Sequence, residues 1–295
     1  MPRTARGLNY VVTDLRAPWL RDKQAGRPVV FHHGVGTNLE IFAEWMPIVA
    51  ARHAIVRFDM RGFGRSVVPP QTHAWSMAEL IADLLEVAET AFGAEPVHVM
   101  GESIGGTIAL AAGLKHPSRF ASVAMSNAAI KGGQIAHAPG WRAEIARVGI
   151  KGWSDRLMEM RFAPNAVAPE ALAWFAGVQE QSPAHVAIGL GELLVGTDLA
   201  AELSSFKLPL LLMMPDRSPY VSLAQANTLA ELVPQAEIAV FAGARHGLPL
   251  SHGKAAAATL LAFLARVEGA HLLITQAPGR SPRLRAGTPT SPGGR

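Results

Sequence analysis

Val97-His-Val-Met-Gly101-Glu-Ser103-Ile-Gly105-Gly106-Thr-Ile-Ala-Leu110 reads as strand, sharp turn, helix. The apolar run to Met100 suits a buried strand. The small apolar stretch from Gly105 to Lys115 suits a helix, and Pro117 stops it. Between them stands a serine with glycine two residues away on either side, the pattern of a nucleophile elbow. The turn is strained, and side chains at 101 or 105 would collide with it. It lifts the Ser103 hydroxyl above the sheet, at a helix N-terminus whose amides favour a developing anion.

Further runs of the same kind lie on both sides. Val29 to His33, Ala54 to Asp59, Ala121 to Ser126, Leu208 to Met214 and Ala236 to Phe241 read as strands covered on both faces. Helical patterns fall between them at Ile41 to Ala51, Ser76 to Phe92, Ser222 to Val233 and Lys254 to Val267. The second opens on Ser76 with Glu79 three residues on, a capping box. Alternating strands and helices predict an α/β fold with a mostly parallel central sheet and right-handed crossovers. The alternation stops between about Ile130 and Leu203. Helices are expected there at Trp141 to Val148, Trp153 to Met160, Pro169 to Gln179 and Pro183 to Leu194. The expected organisation is a core of residues 1–129 and 204–270, with 130–203 inserted as a helical lid. The Pro- and Gly-rich stretch 277–295 is expected to be a disordered basic tail.

Composition narrows the function. The 295 residues carry 27 basic and 23 acidic groups, and the excess of four equals the four arginines after Ala277, leaving a neutral body. Nucleic-acid binding is therefore not expected. No apolar run reaches the length of a membrane span, and the first residues show no signal peptide, so a cytoplasmic protein is expected. The chain has no cysteine, which excludes disulfides, zinc–thiolate sites and cysteine nucleophiles.

Three other loops bear on chemistry. His32-His33-Gly34-Val35-Gly36 ends an earlier strand, where the amide of Val35 with that of Ile104 would hold an oxyanion. The adjacent histidines point to opposite faces, against a metal pair. Asp59-Met-Arg61-Gly62-Phe-Gly64-Arg-Ser66 lacks the third glycine of a dinucleotide loop. It is read as a structural turn in which Asp59 and Arg61 hydrogen-bond loop backbone. Gly243-Ala-Arg-His246 follows the last strand, where a histidine can serve Ser103 as general base. Asp216, after the strand ending at Met214, is the carboxylate placed to orient that histidine; Asp216→Asn would then lower kcat on the order of 10²- to 10⁴-fold.

Taken together, His33-Gly34, the Asp59–Ser66 turn, Gly101-Glu-Ser103-Ile-Gly105-Gly106 and Gly243-Ala-Arg-His246 resemble the α/β-hydrolase superfamily over residues 9–267. Within it, the helical insertion and the Gly34–Asn38 loop look most like the 3-oxoadipate enol-lactone hydrolase and small carboxylesterase branch. The resemblance implies Ser103 as nucleophile, His246 as base, the amides of Val35 and Ile104 as oxyanion donors, and an acid after the seventh strand. Members usually carry that acid two residues later than Asp216, where Ser218 stands here. Two readings follow: a displaced Asp216, or a group from another strand end near Ser126-Asn127.

Gly34, Glu102 and Trp141 are expected to contact substrate. The insertion aromatics Trp141, Trp153, Trp174, Phe162 and Phe175 are expected mostly to pack the insertion on the body. Arg142, Arg147, Arg156 and Arg161 suit either solvated faces or a carboxylate-bearing substrate. The function read here is hydrolysis of a small ester or lactone through an acyl-enzyme, with no metal or cofactor implied. The rivals are carbon–carbon bond hydrolysis, thioester hydrolysis or perhydrolysis on the same residues, and a non-catalytic ligand-binding relative.

Overall fold

The computed structural model describes residues 2–20 and 26–275. The strands are β1 Tyr10–Thr13, β2 Gly26–His32, β3 His53–Phe58, β4 Val97–Glu102, β5 Phe120–Ser126, β6 Leu210–Pro215 and β7 Ala236–Phe241. They form one seven-stranded sheet in the order β1-β3-β2-β4-β5-β6-β7, antiparallel only between β1 and β3. The helices are α1 Met46–Val49, α2 Met77–Phe92, α3 Ile104–Lys115, α4 Trp141–Arg161, α5 Pro169–Glu180, α6 Ala184–Val195, α7 Leu223–Leu232, α8 Leu248–Ser251 and α9 Gly253–Thr275.

The apolar runs work as strands because both faces are buried. Val30, Val56, Val99 and Val123 point into one cluster with Leu84 of α2 and Ile108 of α3. Their neighbours Val29, Ile55, Met100 and Ala124 point into the other, with Trp45 and with Leu260 and Phe263 of α9. This is the period of two that a pleated strand imposes. Helix α3 sits closest to the sheet. A side chain at its Gly113 would lie 2.9 Å from Phe206 and 3.0 Å from Val123.

The expected elements recur with instructive differences. Strand β1 is not among the expected strands: Tyr10–Thr13 has strand-favouring residues, but only four of them, and none is fully buried. The helix expected over Ile41 to Ala51 is instead a 3-10 segment, Leu39–Trp45, followed by the single turn α1. The two helices expected at Trp141 and Trp153 are both present, broken from one another where Gly149 takes the non-helical φ 71° and ψ 177°, and they share the label α4. Ser76 caps α2 by accepting the Glu79 amide at 3.2 Å. Glu79 does not complete the box, since its carboxylate bonds His73 at 2.8 Å.

No strand of the sheet lies between β5 and β6, where α4, α5 and α6 fall. Trp141 meets Trp153 edge-on at 5.2 Å, and Phe162 meets Phe175 at 5.6 Å. Trp141 and Trp153 also join the cluster that holds Val99 and Ile108, and Phe162 and Phe175 the one that holds Phe31 and Trp45, so these four pack toward the body as expected. The stretch 277–295 lies outside the described residues. Among the described residues, no helix is long and apolar enough to cross a membrane.

Candidate active site

Ser103 joins β4 to α3 with φ 55° and ψ −126°, a left-handed-side backbone that a non-glycine residue adopts only under constraint. The glycines supply that constraint. A Cβ at Gly101 would lie 2.2 Å from the Gly105 carbonyl oxygen, and one at Gly105 would lie 2.4 Å from that of His32. The loop after β2 is pressed onto the same bend, since a Cβ at Gly34 would meet Ser103 Cβ at 2.9 Å. Gly34 is thus a close-approach position beneath the nucleophile. It does not line the cavity described below.

His246 reaches the serine from the loop after β7, with Nε2 3.2 Å from Ser103 Oγ. The imidazole is buried, and Tyr220 stacks edge-on against it at 4.7 Å. Burial, and then the Arg161 guanidinium, hold His246 well below the ordinary histidine pKa. It is therefore neutral near pH 7 and able to accept a proton. Val35 lies on the loop after β2, and Ile104 opens α3 directly after Ser103. Among the described residues, neither amide donates to another group.

Asp216 is not brought to the histidine. Its Oδ1 accepts the Gly243 amide at 2.8 Å and its side chain is exposed. His246 Nδ1 is buried and has no hydrogen-bond partner among the described residues. The expectation that Asp216 orients the base is corrected on this ground. The chain continues the β6–β7 pairing through Asp216 N to Phe241 O and Arg217 N to Ala244 O. The carboxylate therefore closes the Gly243 turn. Asp216→Asn, which keeps an oxygen for that amide, should leave ester turnover within about threefold of wild type, in the range of surface substitutions. Steady-state kinetics of the two proteins check this.

The other strand end holds a polar cluster in place of a free acid. Glu102 pairs in register with Ser126 across β4 and β5. Its carboxyl accepts from the Ser126 hydroxyl, and Asn127 Nδ2 donates to its Oε1 at 2.7 Å. Asn127 Nδ2 also donates to the His246 carbonyl at 2.7 Å, tying this cluster to the histidine loop. Glu102 is buried beneath the elbow and is absent from the cavity lining, which corrects its assignment as a substrate contact. The register explains this, since residues opposite one another on neighbouring strands stand on the same face of the sheet, which sets the Glu102 carboxyl beside the Ser126 hydroxyl.

Burial pushes the Glu102 carboxyl up to about 8, with the Ser126 and Asn127 bonds opposing the shift. The folded state then holds a proton that the unfolded chain releases near pH 4.5. This contribution to stability is present below about pH 4.5 and lost as pH rises through about 8. Glu102→Gln should remove that slope and raise Tm relative to wild type at pH 8, measured by thermal melts across pH 5 to 9. A wild-type melt that strengthens with pH relative to the variant would contradict it.

The remaining loops are structural. Asp59 accepts the amides of Leu39 at 2.9 Å and Arg65 at 2.8 Å, as expected. Arg61 instead grips Asp83 of α2 at 2.9 and 2.7 Å, so its expected backbone bonds are replaced by an ion pair. His33 Nε2 accepts the Met60 amide at 2.8 Å, which places its proton on Nδ1, toward the Gly34 carbonyl at 2.8 Å. Burial holds both His32 and His33 below the usual histidine pKa. Among the described residues, no cluster of three potential metal ligands occurs.

Beside Ser103 lies a cavity offering about 30 Å³ to water centres, room for one or two waters. Val35, Asn127, Trp141, Arg161, Tyr220 and His246 are among its walls. Trp141 was expected there. Arg161 was one of four arginines with no mark to separate it.

Sequence comparison places the mostly parallel sheet and its helices in a family. The alpha/beta hydrolase fold family matches residues 27–252. The chain belongs to that family. It is 29% identical over 260 residues to the polyketide synthase ThaQ of Burkholderia thailandensis, covering 84% of this chain but only 12% of that much longer protein. It is 25% identical over 215 residues to 3-oxoadipate enol-lactonase 1 of Acinetobacter baylyi, covering 69% of this chain and 76% of the relative. The enol-lactonase structure from Burkholderia xenovorans LB400 superposes with a TM-score of 0.78 at 23% identity, over 88% of this chain and 96% of that one.

Proposed function

We propose that this hydrolase-family chain cleaves small carboxylic esters or lactones through an acyl-enzyme on Ser103. The observation that carries the reading is the 3.2 Å approach of His246 Nε2 to a serine hydroxyl held on a strained bend. Nε2 takes the hydroxyl proton as Oγ bonds the carbonyl carbon. The carbonyl electron pair moves onto oxygen, facing the amides of Val35 and Ile104. Collapse expels the alkoxide, which takes the proton from His246. Water then repeats the sequence and frees the acid. The lactone activity named for the Acinetobacter relative supports an ester or lactone over an amide. Helices α4 to α6, whose Trp141 and Arg161 wall the cavity, act in this reading as its lid.

Stopped-flow mixing with p-nitrophenyl acetate tests it. The expected trace is a burst approaching one p-nitrophenolate per chain before the steady state, absent in Ser103→Ala. Equal, slow, linear release by both proteins would favour a non-catalytic binding role.

A further inference from the structure

Asn127 and His246 wall the same small cavity, and each brings a buried atom to it that has no hydrogen-bond partner among the described residues: Asn127 Oδ1 and His246 Nδ1. Buried polar atoms in folded proteins are paired with protein or ordered water as a rule. These two are complementary. Nε2 faces the Ser103 hydroxyl and has to be free to take its proton, so the neutral ring carries its hydrogen on Nδ1 and donates there. The side-chain oxygen of Asn127 can only accept. It is held in place, because Nδ2 of the same amide donates to Glu102 Oε1 and to the His246 carbonyl, both at 2.7 Å. The backbone at the end of β5 fixes the residue as well, with φ 51°, a left-handed conformation that asparagine adopts more readily than most residues.

The cavity offers about 30 Å³ to water centres, room for one or two waters. A water that takes the Nδ1 hydrogen and gives one of its own to Asn127 Oδ1 keeps a lone pair and a hydrogen for its other neighbours. Trp141 Nε1, Arg161 Nε and Tyr220 Oη, likewise buried without partners among the described residues, stand on the same walls to use them. Buried water needs a polar site of sufficient size, and this cavity is both.

We propose that Asn127 is the positioning residue of the base: through one bridging water, its side-chain oxygen holds the His246 imidazole with Nε2 toward Ser103. The inference rests on the acyl-enzyme reading above and deepens it. A neutral amide thereby does the orienting, and it steadies the imidazolium less than a carboxylate would. The charged and titratable groups around the ring are Arg161 from α4, Tyr220 ahead of α7 and Glu102 from β4, with Arg156 and Glu144 paired behind Tyr220. Glu102 is protonated at neutral pH, which leaves Arg161 as the fixed charge next to the ring.

Asn127→Gly and Asn127→Asp test this, since both residues suit the left-handed backbone. Each loses the Nδ2 donor, but only the aspartate keeps an oxygen for the water, now with a charge. With p-nitrophenyl acetate, Asn127→Gly should lose on the order of 10- to 10²-fold in kcat, less than the loss of a triad carboxylate because the partner removed is neutral. Asn127→Asp should exceed wild type in kcat at pH 8. Its base limb in the pH profile of kcat/KM should move up by about one unit or more, because an anion then stands beside the imidazole. A merely structural tie through Nδ2 would lower both variants alike and leave the limb in place, and either result overturns the proposal. A measurement on the unaltered side chain stands beside these. ¹⁵N NMR of histidine-labelled wild type, with the His246 signals identified by their loss in His246→Ala, should find the hydrogen on Nδ1. A hydrogen on Nε2 would overturn the proposal too. If wild type shows no burst with p-nitrophenyl acetate, the acyl-enzyme reading has failed instead.

Discussion

Ser103→Ala and His246→Ala should each lower ester turnover by about 10⁴- to 10⁶-fold, and the double variant should lose no more than either single one. The 3.2 Å contact makes hydroxyl and imidazole one device. Without the base, the serine keeps its proton at neutral pH and attacks poorly. Without the serine, the base has no attached nucleophile to activate. Losses of this kind do not add, whereas independent contributions would multiply. The lower end of the range applies here because, among the described residues, His246 Nδ1 has no carboxylate to steady the imidazolium. That missing partner limits the starting rate, so less remains to be lost. Steady-state kinetics of the three variants, with melts to confirm folding, decide the matter. Multiplying losses would show that the two side chains do not act together.

Gly101→Ala should be damaging although it adds a single methyl group. The new Cβ would sit 2.2 Å from the Gly105 oxygen and 2.4 Å from both the Gly105 carbon and the Gly106 nitrogen. All three are backbone atoms, so no flexible side chain can swing aside. Either α3 moves off the strand or the bend at Ser103 opens. Overpacking of this type costs about 1–3 kcal/mol, and a rigid backbone obstacle places it at the upper end. For a chain of this size, ~3 kcal/mol lowers Tm by roughly 6–12 °C. A displacement of about 1 Å at the nucleophile should also cost on the order of 10²-fold in turnover. Calorimetry and kinetics on one preparation read both. A variant as stable and as active as wild type would mean that the bend is not held by the glycines.

The elbow was legible because its constraint is local. Two glycines about a serine, after an apolar run and before a small-residue helix, leave few other conformations. His246 was legible from chain order alone, as the histidine beyond the last strand. The third group was not. Asp216 follows the right strand, yet whether a carboxylate at a strand end faces the histidine or its own turn depends on how far pairing continues. Here the amides of Asp216 and Arg217 stay bonded to the β7 side and turn the carboxylate to Gly243. Glu102 was misassigned for a related reason, since only its register opposite Ser126 shows which side chains it stands beside. Arg161 carried no distinguishing mark among its neighbours. Arg142 and Arg156 pair with Glu192 and Glu144, and only packing shows that Arg161 faces inward without such a partner.

The cavity joins two parts of the chain. The bend and the histidine belong to the α/β core, whereas Trp141 and Arg161 are the two ends of α4, in the segment between β5 and β6.

The central claim is that the Ser103 hydroxyl is activated by His246. Covalent labelling tests it most directly. The full chain would be treated with a fluorophosphonate at pH 7, weighed intact, and its adduct mapped by peptide mass spectrometry. The account predicts one adduct per chain, on Ser103, formed quickly in wild type and far more slowly in His246→Ala. No adduct under conditions that label a control serine esterase, or an adduct on a different residue, would contradict it.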